Sequence, residues 1–447
     1  MKTDYIISLP SSTITNNLSV LAHPCCPASP ANAHFQSCLK KLILISQSSR
    51  ALRQSEMSDL VNLNLVVKNH LDGLPENRLL NALTVKKSNI EGRGIFAEKD
   101  LATGELIFVD YPLIMGARTT VEAPAGCVCC YRTDKILTPC TMGCGLPVCS
   151  VDCENSQTHM AECKLITSWK TTDLRETLNS QSFAKCLVPL RALLLTEKSI
   201  EFLLSLAIHN SSRHGAELRF IKKFFHVSKA EEFLMNRACC ALDANAYEML
   251  LTTKAEKNAD LRGLYPVAAL MNHSCVPNIR TDFDASGRMY VRASEFIPEG
   301  TEICTSYTNL LWGTPARRHH LMNTKHFLCQ CIRCSDRSEF GTFLTALKCL
   351  DRSCNGVQLP VNPLDFSSNW RCDACDAEVT PRQIGGLQSA LAGYVGSLNL
   401  ENPSVVDDLI RNKMDKFLPE SNHIVFEMKC RVINAIGVAE GYSWKGE

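Results

Sequence analysis

The sequence predicts an α+β protein: a β-rich unit split by a metal-bound finger and a helical block, followed by a zinc-ribbon-like element and a helical C-terminal region. Three observations predict it. Strand-like segments stand on both sides of a long stretch with helical spacing. Metal-type side chains fall in ordered pairs between Cys127 and Cys163. Further cysteine groups follow at Cys329–Cys334 and Cys349–Cys375.

Strand character begins at Leu83-Thr84-Val85, continues at Gly92–Ala97, and returns at Leu106–Tyr111 after the turn residue Gly104. The finger follows over residues 127–163. From Trp169 to about Asp243 apolar residues recur at helical spacing, among them Leu187, Leu190, Leu194, Phe202, Leu203 and Leu206. The predicted helical insertion spans residues 164–263. Strands return at Asn278–Phe283 and Met289–Ala293, joined by the hairpin signal Asp284-Ala285-Ser286-Gly287. A further strand, Glu302–Tyr307, follows the turn Pro298-Glu299-Gly300. These place the β unit at residues 83–126 and 264–308. Cysteine-rich segments are expected at 325–340 and 345–380, and helices over 381–447, with apolar stretches near Ile384–Leu391 and Cys430–Val438.

At 447 residues the chain has room for roughly two to four modules. Its 47 basic and 46 acidic residues leave a net charge of +1, which excludes a protein that coats nucleic acid by bulk charge. No apolar run is long enough to span a bilayer. Residues 1–56 read as a disordered tail, because no acidic residue lies between Asp4 and Glu56 and Ser, Asn and Pro are frequent. A transit segment would share the lack of acids, but basic residues are sparse there. Met57 is an alternative start.

In the finger, Cys127/Cys130, Cys140/Cys144, Cys149/Cys153 and His159/Cys163 suit two tetrahedral zinc ions. So short a segment buries little apolar surface, so the metal supplies its folding free energy, on the order of 10–16 kcal/mol per ion in peptide models. In a cross-braced finger alternate pairs share a metal. One ion then takes Cys127, Cys130, Cys149 and Cys153, the other Cys140, Cys144, His159 and Cys163. Cys129 is a spare thiol. A disulfide cluster is the alternative; without a secretory leader pattern the expected compartment is reducing, which favours metal. The order of ligands resembles the MYND finger, in which the second pair is usually one residue closer than Cys140 and Cys144.

Taken together, Glu91-Gly92-Arg93-Gly94-Ile95-Phe96, Asn245-Ala246-Tyr247, Leu264-Tyr265-Pro266, Asn272-His273-Ser274-Cys275, Gly300–Tyr307 and Cys329-x-Cys331-x2-Cys334 resemble the SET and MYND domain family of protein methyltransferases, arthropod members above all. The resemblance runs from about Leu83 to Cys334. It implies an S-adenosyl-L-methionine site at Glu91, Gly92, Arg93 and Gly94, where the backbone approaches the cofactor. Asn272 and His273 would meet the adenosine part, Asn245 the methionine end, and Phe327 would lie under the adenine. Tyr307 is the implied catalytic residue, aligning the amine or the sulfonium methyl. A core tyrosine and a plain Gly-x-Gly turn are the plainer alternatives. Where active relatives place a channel tyrosine, this chain has Lys325, or His326 in a register shifted by one, and a cation there repels a substrate ammonium.

Cys329, Cys331 and Cys334 lack a fourth ligand, and the resemblance supplies Cys275. Cys349, Cys354, Cys372 and Cys375 form a further tetrad, with Gly356 in the knuckle. The total is about four zinc ions, all structural, with no open position for metal catalysis. The implied function is methylation of a lysine in histone or other proteins. The alternative is a weakly catalytic scaffold whose finger recruits proline-containing peptides of transcriptional co-regulators. Neither nucleic acid nor membrane is an expected partner, and residence in nucleus and cytoplasm is the expectation.

Overall fold

One apolar pair anchors the first hairpin: Val85 is buried opposite Ile95, while Lys86 and Lys87 at the strand's end are exposed. The computed structural model describes residues 56–77, 82–117, 126–208, 215–249, 261–351, 353–396 and 403–437. The tail expected over residues 1–56 lies outside these, except that Glu56 begins a helix, Glu56–Leu71. In chain order the strands are β1 (Leu83–Lys87), β2 (Arg93–Ala97), β3 (Leu106–Asp110), β4 (Ile114–Ala117), β5 (Thr138–Pro139), β6 (Pro147–Val148), β7 (Tyr247–Met249) and β8 (Leu261–Leu264). They continue as β9 (Asn272–His273), β10 (Ile279–Phe283), β11 (Met289–Ala293), β12 (Glu302–Thr305), β13 (Leu347–Lys348), β14 (Val357–Pro360), β15 (Trp370–Cys372) and β16 (Glu378–Val379).

Three small sheets make the β unit. β12 pairs antiparallel with β2 and parallel with β9, giving the order β1-β2-β12-β9. The second sheet has the order β10-β11-β3. Its hairpin turns where the sequence predicts: Gly287 takes φ +79°, and the Asp284 carboxylate accepts the Ser286 N–H at 2.9 Å. The third sheet, β4-β8-β7, corrects the sequence reading, which carried helix through residue 263. Residues 261–264 lie between two strands, so their backbone groups find partners on both sides and pairing overrides the local pattern.

Helices Gln157–Ser168, Glu197–Ser205 and Lys229–Asn245 start at the N-caps Ser156, Thr196 and Ser228, the last with a full capping box to Glu231. Finger and helices share one core, in which Leu146, Val148 and Ile166 pack with Leu190, Phe225 and Met235. Arg191 ties this core to the β unit. Its guanidinium donates to Glu162 Oε1 at 2.7 Å, to Tyr131 Oη at 2.6 Å, to the Val128 carbonyl at 2.9 Å and to the carbonyl of Met115 on β4. Downstream, the sheet β13-β14-β15-β16 shares a second core with the C-terminal helices, where Trp370 and Val379 meet Val406, Leu409 and Met428.

At the end of β3 the fully buried carboxylate of Asp110 accepts the Val267 and Ala268 N–H groups at 2.9 Å each, and His70 Nε2 at 2.8 Å. It holds helix Glu56–Leu71 and the segment before β9 on one anchor. Replacing Asp110 with Ala leaves two buried backbone donors and an imidazole without their acceptor. We expect a loss of roughly 2–4 kcal/mol, read as a fall of several degrees in the thermal unfolding midpoint. An unchanged midpoint would show that the anchor does not carry this load.

Candidate active site and metal centres

Tetrahedral zinc with bonds of about 2.3 Å to sulfur requires sulfur–sulfur separations of about 3.8 Å. The structure meets that requirement with the four predicted ligand sets. Cys127, Cys130, Cys149 and Cys153 converge, as do Cys140, Cys144, His159 and Cys163, with the ligand atoms of each set within 4.8 Å of one another. In the first set Cys130 and Cys149 are 3.5 Å apart and Cys149 and Cys153 3.7 Å. In the second Cys140 and Cys163 are 3.9 Å apart, and Cys144 lies 3.5 Å from His159 Nε2. None approaches the roughly 2.05 Å of a disulfide. The extra residue between Cys140 and Cys144 is absorbed by Gly143 at φ +88°. His159 Nδ1 donates to the Glu154 carbonyl at 2.6 Å, which leaves Nε2 as the metal-facing atom. Cys129 stands outside both sets, 3.2 Å from Ser156 Oγ.

Cys275, Cys329, Cys331 and Cys334 form the third set and Cys349, Cys354, Cys372 and Cys375 the fourth. In the fourth, a Cβ on Gly356 would come within 2.6 Å of Cys372 Sγ, so only glycine fits the knuckle. The third is mostly buried, and four thiolates leave excess negative charge around a divalent ion. Buried Arg317 offsets it, its Nε lying 3.2 Å from Cys275 Sγ, its Nη2 3.6 Å from Cys334 Sγ and its Nη1 2.7 Å from Glu339 Oε2. Zinc fits all four sets and would hold their loops closed.

The third set adjoins the predicted cofactor residues. His273 Nδ1 accepts the Tyr307 N–H at 3.0 Å, so Nε2 carries the proton and donates to Cys275 Sγ at 3.2 Å. Burial keeps this imidazole neutral, pushing its pKa down to about 4. Both ring nitrogens are thus committed within the protein, and His273 positions Tyr307 and Cys275. The Tyr307 and Phe327 rings stand 5.3 and 5.9 Å from it. Asn272 sits beside Cys304 in the β9–β12 pairing. Its Nδ2 donates to the Glu91 and Arg93 carbonyls at 3.2 Å each and to Glu302 Oε1 at 2.7 Å. This amide therefore holds the glycine-rich turn. Gly92 there takes φ +50° with open space above it, whereas a Cβ on Gly94 would strike Glu302 Oε1 at 2.1 Å. Arg93 reaches the Ser205 carbonyl, and Asn245 Nδ2 donates to the Ala207 and Ala241 carbonyls at 2.9 and 2.8 Å. Among the described residues no donor reaches Oδ1 of Asn245 or Asn272. Two amide oxygens so left suit a ligand that brings N–H donors, as an amino-acid end and an adenine do.

Tyr307 donates its hydroxyl to the Met271 carbonyl at 2.6 Å. Burial above all, then the charges of Cys304 and Glu302, raise its pKa far above the usual phenol value, so it stays protonated and is no base. The phenol proton is engaged, but the oxygen's lone pairs can still accept. Beside it lies a cavity of about 560 Å³, lined by Asn245, Tyr247, Ser306, Tyr307, Trp312 and Lys325 among others. Lys325, not His326, enters it. Nζ stands 5.4 Å from the Tyr307 ring centroid. Burial lowers the Lys325 pKa against the opposing charge of Asp243.

Sequence reading missed Glu302, which lies two residues after the predicted turn residue Gly300 and accepts from both Asn272 and, at 2.8 Å, Ser88 Oγ. It also missed Arg317, whose only signal is a second arginine beside Arg318 in a helix that ends at Lys325.

A family model for the SET domain matches residues 92–308. SET domain-containing protein SmydA-8, isoform B, of Drosophila melanogaster is 33% identical over 406 residues, covering 87% of this chain and 86% of that protein. N-lysine methyltransferase SMYD2-A of Xenopus laevis is 28% identical over 261 residues, 56% of this chain and 60% of its own length. Histone-lysine N-methyltransferase ASHR1 of Arabidopsis thaliana is 25% identical, with 60% of this chain and 59% of that protein covered.

Metal analysis of protein purified without chelator should give close to four zinc ions per chain, matching the four ligand sets. Cys153→Ser should lower the count by about one. A folded protein carrying two or fewer ions would remove at least half of the assignment.

Proposed function

Since the chain belongs to the SMYD-like family of SET-domain proteins, sharing 33% identity along 87% of its length with the Drosophila member SmydA-8, we propose that it transfers a methyl group from S-adenosylmethionine to lysine in a protein substrate. The observation that carries this reading is the convergence of Asn272, His273, Tyr307 and Phe327 with the Gly92–Gly94 turn at the meeting of β2, β12 and β9. The cofactor supplies an electrophilic methyl on a sulfonium. Asn245 and Asn272 would accept from its amino groups, the open turn at Gly92 would lie along it, and Phe327 would stack on the adenine. The acceptor must present a neutral amine, whose population at neutral pH is small because a lysine pKa is about 10.4. Tyr307, locked as a phenol, orients rather than deprotonates, and orientation can contribute roughly 7–11 kcal/mol. Histones and other proteins are both admissible substrates. On the finger, exposed Ile136 and Val151 support a further role in holding proline-containing peptides of co-regulators.

A second reading has one observation in its favour. Lys325 fills part of the cavity beside Tyr307, so a protein that binds cofactor and partners while methylating slowly is the alternative.

Calorimetric titration with S-adenosylmethionine should show one site per chain. Asn272→Ala removes the donor that holds the turn and should weaken binding by roughly 1–3 kcal/mol; equal affinity would displace the site. Tyr307→Phe keeps the ring and loses the phenol oxygen, so methyl transfer should slow by roughly 10²–10⁴-fold. Undiminished transfer would remove Tyr307 from its role.

A further inference from the structure

Helix Lys229–Asn245 ends at the cavity beside Tyr307. The last carbonyls of a helix have no intrahelical donors and carry the negative end of its dipole. Here the donor comes from elsewhere in the chain. Lys325 Nζ lies 2.6 Å from the Ala244 carbonyl and 3.5 Å from that of Asp243. The same nitrogen stands over the Tyr307 ring, 5.4 Å from its centroid, which is cation–π distance. Tyr247 and Trp312 add aromatic wall to the cavity. Carbonyl oxygens on one side and an aromatic face on the other are what an alkylammonium group requires, and the chain itself provides the ammonium. Its backbone is fixed on both sides. Lys325 is the last residue of helix Thr314–Lys325, and His326 then turns the chain at φ +63° toward the metal ligand Cys329.

We propose that Lys325 is an internal occupant of the acceptor pocket: its ammonium fills the place that a substrate lysine's ammonium would take, and so it decides which acceptors the site admits. The proposal rests on the reading of Tyr307 as the methyl-transfer residue. A second unit charge brought within about 4 Å of Lys325 at a protein surface is disfavoured on the order of a thousandfold. A protonated lysine is therefore turned away. The residue also has a capping role toward helix Lys229–Asn245, so the test must separate occupancy from support.

Two arms do this on the full-length zinc-loaded protein. The first uses no methyl donor. Lys325→Ala retains Cβ and vacates the space of a propylammonium ion. n-Propylammonium chloride should raise the unfolding midpoint of Lys325→Ala saturably, and leave the parent unmoved, while 1-propanol and sodium chloride leave both unmoved. Equal response of parent and variant, or no response of a folded variant, overturns the proposal. The second arm covers a variant too unstable to measure. Lys325→Met fills the space without charge, and Lys325→Arg keeps the charge. With core histones as acceptor, KM should fall at least tenfold in Lys325→Met and stay at the parent value in Lys325→Arg. The same KM in all three overturns it. If titration shows that the parent binds no S-adenosylmethionine, the proposed function fails, and the propylammonium arm alone decides whether Lys325 occupies a cation site.

Discussion

The imidazole of His273 joins the third cysteine set to Tyr307 at the wall of the cavity, and the candidate site depends on that junction. One nitrogen accepts the backbone N–H of Tyr307 and the other donates to the thiolate position of Cys275. A neutral imidazole can serve both ends, and burial keeps it neutral. Cys275 in turn gathers Cys329, Cys331 and Cys334, which place Phe327 beside the same ring. Zinc at this centre would therefore fix the position of Tyr307 through one side chain. The placement of Tyr307 and the geometry of the cysteine set are two ends of one hydrogen-bonded unit.

The second constraint is the mechanical link between an insertion and the sheet it interrupts. A finger of fewer than forty residues, folded around metal, contributes little core of its own. It borrows one from the helices, through Leu146 and Val148. Arg191 then couples that shared core to β4 by donating to Met115 while paired with Glu162. Glu162 is almost wholly buried, and desolvation raises its pKa against the pull of Arg191. A buried pair of this kind is weak evidence for stability and better understood as fixing an orientation.

Local chemistry was legible in the sequence, and long-range pairing was not. Cysteine spacings reveal ligand sets because each pair must form its own knuckle, so both ends of every half-site lie close in the chain. The β10–β11 hairpin was legible for the same reason, since Asp284 and Gly287 carry the turn themselves. Cys275 was assignable only through the resemblance. β4 and β8 are separated by the finger and the helical block, and neither has a periodicity that announces the other. Asp110 meets Ala268, and Ser88 meets Glu302, across well over a hundred residues of chain. Asn272 was expected to meet the cofactor; in the structure its side chain braces the turn by donating to the carbonyls of Glu91 and Arg93, a long-range contact that no local pattern announces.

The four metal centres differ in how deeply they lie. Every ligand of the second finger centre is buried, whereas Cys375 of the ribbon is exposed. Exchange of a coordinated ion begins with an incoming group that can reach it, so depth imposes an order of departure. A chelator meets the ribbon first. Its strands share a core with the C-terminal helices through Trp370 and Val379, so emptying it loosens that end of the molecule while the pocket around Tyr307 still stands. Under zinc scarcity the chain would thus come apart from its periphery inward, the ribbon first and the wholly buried second finger centre last.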